Sequence, residues 1–112
     1  MEDLIALYKD IIENHIITFE EKDTYTYWEI TIYFKDNSRL EYKDKFVKLV
    51  KKRRYSFQYM RNDNSLIVRW DNAPHPHKVA TMPHHKHVDT DENVQPSEEM
   101  NLGKVLLYPI IF

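Results

Sequence analysis

Tyr25-Thr26-Tyr27-Trp28-Glu29-Ile30-Thr31-Ile32-Tyr33-Phe34 decides the fold. Trp28, Ile30, Ile32 and Phe34 fall on one side of an extended chain, and Tyr27, Glu29, Thr31 and Tyr33 fall on the other. That is the period of a strand with one buried face, built from the β-branched and aromatic residues that fit a pleated surface. Lys35-Asp36-Asn37-Ser38 follows, with side chains that bond their local backbone, and predicts a turn. Leu40 and Tyr42 then return with Arg39, Glu41 and Lys43 outward. A second hairpin has Tyr55, Phe57 and Tyr59 alternating with Ser56, Gln58 and Met60. It turns at Asn62-Asp63-Asn64-Ser65 and comes back through Leu66, Val68 and Trp70.

Upstream, Ile16-Ile17-Thr18-Phe19 is a short strand-like run. Before it, Leu4, Leu7, Tyr8 and Ile11 recur at helical spacing, with Asp3 where a helix start favours negative charge. His15 is expected at the end of that helix, bonding its last carbonyls. Downstream of Trp70 the alternation stops. Four of the five prolines and five of the six histidines lie between Asp71 and Ser97. Unstructured stretches of that length inside a small domain tend to be functional or disordered. Ser97 is a candidate N-cap, and Leu102, Val105 and Leu106 give a short helical stripe that Pro109 ends. The expectation is one α+β domain over residues 1–112. It comprises an antiparallel meander of about five strands, an N-terminal and a C-terminal helix, and a long His/Pro-rich loop.

The chain has 112 residues, 42% hydrophobic and 30% charged, enough for one core. Gly103 is the single glycine, so glycine-rich phosphate loops are excluded. With no cysteine, disulfides, thiolate metal sites and cysteine nucleophiles are excluded. No apolar run approaches the roughly 18 residues of a membrane span. Glu2 and Asp3 carry the wrong sign for a secretory signal, so a cytoplasmic protein without membrane association is expected.

The chemistry concentrates in Asp71-Asn72-Ala73-Pro74-His75-Pro76-His77 and Met82-Pro83-His84-His85-Lys86-His87. Imidazoles titrate near neutrality and serve as paired acid and base. Neutral imidazoles also bind metals. His84, His85 and His87 offer nitrogens to one ion and Asp71 a carboxylate, although the spacing follows no standard zinc motif. No metal ligand is assigned on this ground, and a divalent metal stays open. A polar loop with solvated histidines has the same composition. Arg69, at the end of the last strand, is placed to steady a phosphate, while Asp71 and Asn72 also suit capping of the turn. A second feature is the basic stretch Lys48, Lys51, Lys52, Arg53 and Arg54, opposed in its neighbourhood by Asp44 and followed by Tyr55, Phe57 and Tyr59. Cations neutralise phosphate and rings stack on unpaired bases, which suits RNA. The same rings suit a core, because alternation puts them on one face.

Tyr55 to Tyr59, Val68-Arg69-Trp70-Asp71-Asn72-Ala73-Pro74-His75, Met82-Pro83-His84-His85-Lys86-His87 and Pro96-Ser97-Glu98 resemble the TumE-like toxins of type II toxin–antitoxin modules. The resemblance runs from about Tyr55 to Leu107. The chain departs from the family pattern at His75-Pro76-His77, where adjacent histidines are expected, and at Met82, where Phe is expected. The resemblance implies a small cytoplasmic toxin whose neighbouring gene encodes an antitoxin with a helix-turn-helix part. It places Asp71, Asn72, His75, His84, His85 and His87 on motif positions. The resulting expectation is a ribonuclease using histidine acid–base catalysis, with His75, His84, His85, His87, Asp71 and Arg69 as catalytic candidates. Lys48, Lys51, Lys52, Arg53, Arg54 and Lys86 are the RNA-binding candidates. The alternatives are a non-catalytic RNA- or protein-binding module and a histidine-ligated metal-dependent nuclease. The apolar tail from Val105 to Phe112 packs either on its own sheet or on a second copy, which leaves a homodimer open.

Overall fold

The computed structural model describes residues 1–74 and 79–111. Its centre is one seven-stranded sheet in sequence order, with every neighbouring pair antiparallel. The strands are β1 (Ile12–Glu21), β2 (Tyr25–Phe34), β3 (Arg39–Val47), β4 (Lys52–Met60), β5 (Leu66–Asp71), β6 (His85–Val88) and β7 (Val94–Pro96). Three short helices complete the order: α1 (Glu2–Ala6), α2 (Leu102–Leu106) and α3 (Tyr108–Ile111).

The meander is the expected one, and its register follows the alternation. Ile30 faces Tyr42, Tyr42 faces Phe57, and Phe57 faces Trp70 across β2 to β5. Ile30, Ile32, Phe34, Leu40, Tyr42, Tyr55, Phe57, Tyr59, Val68 and Trp70 are all buried in one cluster. Burying each such side chain is worth about 1.5–3 kcal/mol. Tyr42 and Phe57 stack with ring centroids 4.1 Å apart. Ile5 of α1 and Leu102, Val105 and Leu106 of α2 close the same face, so the described part of the C-terminal tail packs on its own sheet. Tyr55, Phe57 and Tyr59 are therefore core residues, and their rings are not laid out for stacking on bases. Both expected hairpin turns form. Asp36 Oδ1 accepts from the Ser38 amide at 2.9 Å, and Asp63 Oδ1 from the Ser65 amide at 2.9 Å. Asn37 and Asn64 take φ of 71° and 70°, which Asn tolerates better than most residues.

The sheet departs from the expected five strands because β6 and β7 lie inside the supposed loop. His85 and His87 take alternate, buried positions of a period-two segment on the face away from the core, where an apolar residue would have signalled a strand. The first helix ends at Ala6, and β1 already begins at Ile12. The β-branched run thus prevails over the helical spacing, and His15 sits exposed on a strand, not at a helix end. The N-cap of α2 is Asn101, whose side chain accepts from the Lys104 amide at 2.9 Å. Ser97 is used otherwise: its amide donates to Thr81 Oγ1 at 2.9 Å. Pro109 lies in the first turn of α3, where its missing N–H costs nothing.

Candidate functional site

The two sides of β6 carry two different polar arrangements. Register pairs Asp71 with His85 and Arg69 with His87, which puts these side chains on the sheet face opposite the core. Elsewhere that face is wetter, with Glu29, Lys43 and Arg54 exposed. At β5 and β6 it is not: Asp71, His85 and His87 are 5%, 0% and 1% exposed. His85 Nδ1 lies 2.8 Å from the Pro83 carbonyl oxygen and His87 Nδ1 2.8 Å from that of Asp91. A carbonyl only accepts, so each Nδ1 carries a proton and donates it. The other ring nitrogens turn to one carboxylate. His85 Nε2 is 2.9 Å from Asp71 Oδ1, and His87 Nε2 is 3.5 Å from Oδ2. The Ala73 amide donates to Oδ1 at 3.0 Å and Arg69 Nε to Oδ2 at 3.2 Å. Arg69 also reaches Asp91, at 3.0 Å. Among the described residues, Asp71, His85 and His87 are the group whose side chains could hold a metal ion, with ligand atoms within 4.8 Å of one another.

His84 points to the other side. Its Nδ1 is 2.8 Å from the Tyr55 hydroxyl, and the two rings stack at 5.9 Å and 15°. The Tyr55 oxygen also accepts from the Met100 amide at 3.3 Å. Burial pushes the Tyr55 phenol above its ordinary value, outweighing the Met100 amide and the Arg53 charge. His84 is half-buried and lines a groove of about 660 Å³ together with Lys51, Lys52, Arg53, Arg54 and Asn72. Asn72 shapes this wall by accepting from the Tyr55 amide at 2.9 Å and donating to the Arg53 carbonyl at 2.6 Å.

The expected basic stretch is divided. Arg53 grips Asp44 through Nε and Nη2, at 3.0 Å and 2.8 Å to Oδ2. Its Nη1 donates to Glu99 at 3.0 Å and to the Met100 carbonyl at 2.8 Å. Burial works against the guanidinium charge, but the Asp44 carboxylate outweighs it and holds the Arg53 pKa above the usual arginine range. Lys48 pairs with Glu21 at 3.3 Å. Lys51, at φ 51°, forms the turn into β4, and Lys51, Lys52 and Arg54 are exposed at the groove. Arg54 also borders a second groove of about 420 Å³ on the polar face, with Lys43, Lys45, Arg69 and Asp71. Lys86 pairs with Trp70. It therefore lies on the sheet face opposite Asp71, His85 and His87, and lines a separate groove with Trp70 and Tyr108.

The structure thus brings Asp71, Arg69, His85 and His87 together and sets His84 apart with the cations. His75 lies outside the described residues, as does His77. Asp44, Glu99 and Asp91 were not singled out as site residues, and Tyr55 was read as a ring for bases or core and not for its hydroxyl. The lone acid in a basic run was the available signal for Asp44. Tyr55 gave none, because a buried ring with a working hydroxyl has the sequence pattern of any core tyrosine. The described residues contain no helix long and apolar enough to cross a membrane. Neither a curated protein nor a solved structure matched the chain. The family model described as toxin TumE matches residues 1–110, well beyond the stretch that carries the histidine motifs. The chain therefore belongs to the TumE family, a toxin family of toxin–antitoxin modules, which implies an antitoxin partner.

Proposed function

We propose that this protein is the toxin of a type II module and that it cleaves RNA in the groove lined by His84. The observation that supports this is a half-buried imidazole set among Lys51, Lys52 and Arg54. Cleavage of RNA by its own 2′-hydroxyl needs a proton taken from that hydroxyl, a proton given to the leaving 5′-oxygen, and positive charge on the phosphate in between. The Tyr55 hydroxyl occupies His84 Nδ1, so exchange with substrate falls to Nε2. As imidazolium, His84 donates Nδ1–H to the phenol oxygen and presents Nε2–H to the leaving oxygen, while the 2′-hydroxyl proton passes to solvent water in the open groove and returns the imidazole to its charged form for the next turnover. The raised phenol pKa keeps Tyr55 neutral at ordinary pH, so its oxygen puts no negative charge beside His84, and the Glu99 carboxylate that also lines the groove is paired with Arg53 at 3.0 Å. Lys51, Lys52 and Arg54 neutralise the backbone as the strand enters. The expected partner is a helix-turn-helix antitoxin from the neighbouring gene, covering this groove, and the expected compartment is the cytoplasm.

The test is purified toxin, freed of antitoxin, incubated with single-stranded RNA beside a His84→Ala variant. The expected result is cleavage by the wild type and a loss of about 10²–10⁴-fold in the variant, with both proteins folded by circular dichroism. An equally toxic and equally active His84→Ala variant refutes the assignment. Strong binding of RNA without cleavage by the wild type favours the non-catalytic module instead.

A further inference from the structure

We propose that Asp71, His85 and His87 form a binding site for one divalent transition-metal ion of the zinc class. This goes beyond the assignment of the groove to RNA, because the ion site lies on the other side of β6 from His84. The first ground is protonation. Each Nδ1 donates to a main-chain carbonyl, that of Pro83 or Asp91, at 2.8 Å. In the neutral imidazoles the Nε2 atoms therefore carry lone pairs, and both lie beside one carboxylate, at 2.9 Å and 3.5 Å from its oxygens. Lone pairs that converge in this way repel unless a cation lies among them. Metal-binding histidines have this arrangement, with the far N–H fixed by a carbonyl and the near nitrogen on the metal.

The second ground is size. A tetrahedral ion with bonds of about 2.0–2.1 Å holds its ligand atoms about 3.3 Å apart. One ligand atom from each residue lies within 4.8 Å of the others, so a contraction of about 1.5 Å at most closes the set on an ion. The third ground is the donor set. Two imidazoles and a carboxylate suit zinc, cobalt, nickel or iron, whereas magnesium and calcium prefer oxygen ligands throughout. The carboxylate is itself held by the Ala73 amide and Arg69 Nε, at 3.0 Å and 3.2 Å, as outer partners hold metal-bound carboxylates. The described residues supply three of the donors that a tetrahedral ion takes. The ion would clamp β5 to β6 at the start of the segment that carries His84.

The experiment strips the full-length protein with a chelator, then titrates it with Co²⁺ as a spectroscopic probe, with Zn²⁺ in competition and with Mg²⁺ as the hard-cation contrast. The expected result is saturation at one equivalent of Co²⁺ with visible ligand-field bands, displacement by Zn²⁺, no response to Mg²⁺, and a rise in Tm on loading. Asp71→Asn and His87→Gln should each weaken binding by more than about 100-fold, beyond what loss of an outer partner costs. His15→Ala, which removes an exposed imidazole, should leave binding unchanged. The proposal is overturned if Co²⁺ gives no saturable spectrum, or if Asp71→Asn and His87→Gln bind as the wild type does. Should those variants fail to fold, ¹⁵N NMR of the wild type decides. Zn²⁺ must shift the Nε2 resonances of His85 and His87, and retained Nε2 protons on both rings overturn the site. Metal binding with full toxicity in His84→Ala upholds the ion site and sinks the proposed role of the groove. His84-dependent activity together with no saturable binding of Co²⁺ does the reverse.

Discussion

Arg53 and Arg54 are neighbours in sequence, and their substitution should have opposite consequences. Arg53 is 23% exposed at its side chain and Asp44 14%. Removing Arg53 deletes the fork on Asp44 and the bond to the Met100 carbonyl, and leaves a largely buried carboxylate without its cation. Hydrogen bonds to charged groups are worth about 1.5–3 kcal/mol each and do not add fully. The Glu99 contact adds little, since an exposed pair contributes about 0–1 kcal/mol and that carboxylate is 57% exposed. Arg53→Ala should therefore cost about 3 kcal/mol. For a chain of this size that lowers Tm by about 10 °C. Arg54 is exposed, and its alanine variant should stay within about 0.5 kcal/mol of the wild type.

Urea unfolding followed by the fluorescence of Trp28 and Trp70 measures both. A cycle of Arg53→Ala and Asp44→Ala should show a coupling of about 1–3 kcal/mol. RNA binding should separate the pair the other way. Arg54→Ala weakens binding and reduces the slope of log K against log salt by about 0.7, the value for one phosphate contact on a single strand. Equal stability losses in the two variants, or no coupling between Arg53 and Asp44, would refute the division of the basic stretch into an internal clamp and an external contact.

Stability should fall at alkaline pH. Burial raises the phenols of Tyr42, Tyr55 and Tyr59 above their usual value. The native state therefore keeps their protons after the unfolded chain has lost them, so this contribution is complete below about pH 10 and declines as pH rises further. Each phenol contributes up to about 1.36 kcal/mol per pH unit. Urea midpoints at pH 8, 10 and 11 should drop, and the drop should be shallower in Tyr42→Phe; a flat profile sinks the assignment. Lys86→Ala should leave RNA binding and toxicity unaltered, because Lys86 lines a separate groove with Trp70 and Tyr108 and not the one lined by His84. A loss of RNA affinity there would mean that nucleic acid runs on from the His84 groove into the one lined by Trp70 and Tyr108.

The sheet was legible in the sequence because its core obeys one simple rule. Wherever one face is apolar and the other polar, as from Trp28 to Phe34 and from Leu66 to Trp70, period two shows through. Asx turns marked both hairpins for the same local reason. His85-Lys86-His87-Val88 follows the same geometry with imidazoles on one face. Histidine counts as polar, so the alternation vanished and two strands were taken for loop. The histidine motif was legible as chemistry, but its division was not. Three histidines within four positions look like one cluster, whereas a strand must send His84 one way and His85 and His87 the other. The basic stretch misled for a related reason: charge is visible in sequence, but which cation is consumed by an acid on another strand is a property of register.

The burial of Asp71, His85 and His87 on the water-facing side of the sheet has a mechanical cause. β1 and β2 have ten residues each, whereas β6 has four and β7 three. So short a ladder gives β6 few backbone bonds, and side chains supply the rest. His85 Nδ1 ties the strand to Pro83, just before it, and His87 Nδ1 ties it to Asp91, just after. Arg69 reaches from β5 to the same Asp91. Each of these imidazoles thus spends one nitrogen on the chain and turns the other to Asp71. A buried ring tied to the chain through Nδ1 is rigid and dry, which suits a metal ligand and works against an acid or base that must meet RNA. His84 has the complementary position: one nitrogen rests on Tyr55, and the ring borders open groove beside three exposed cations, Lys51, Lys52 and Arg54. The short strand and the turn that enters it therefore separate the two duties, with the holding histidines on one side of β6 and His84, at its entry, on the other.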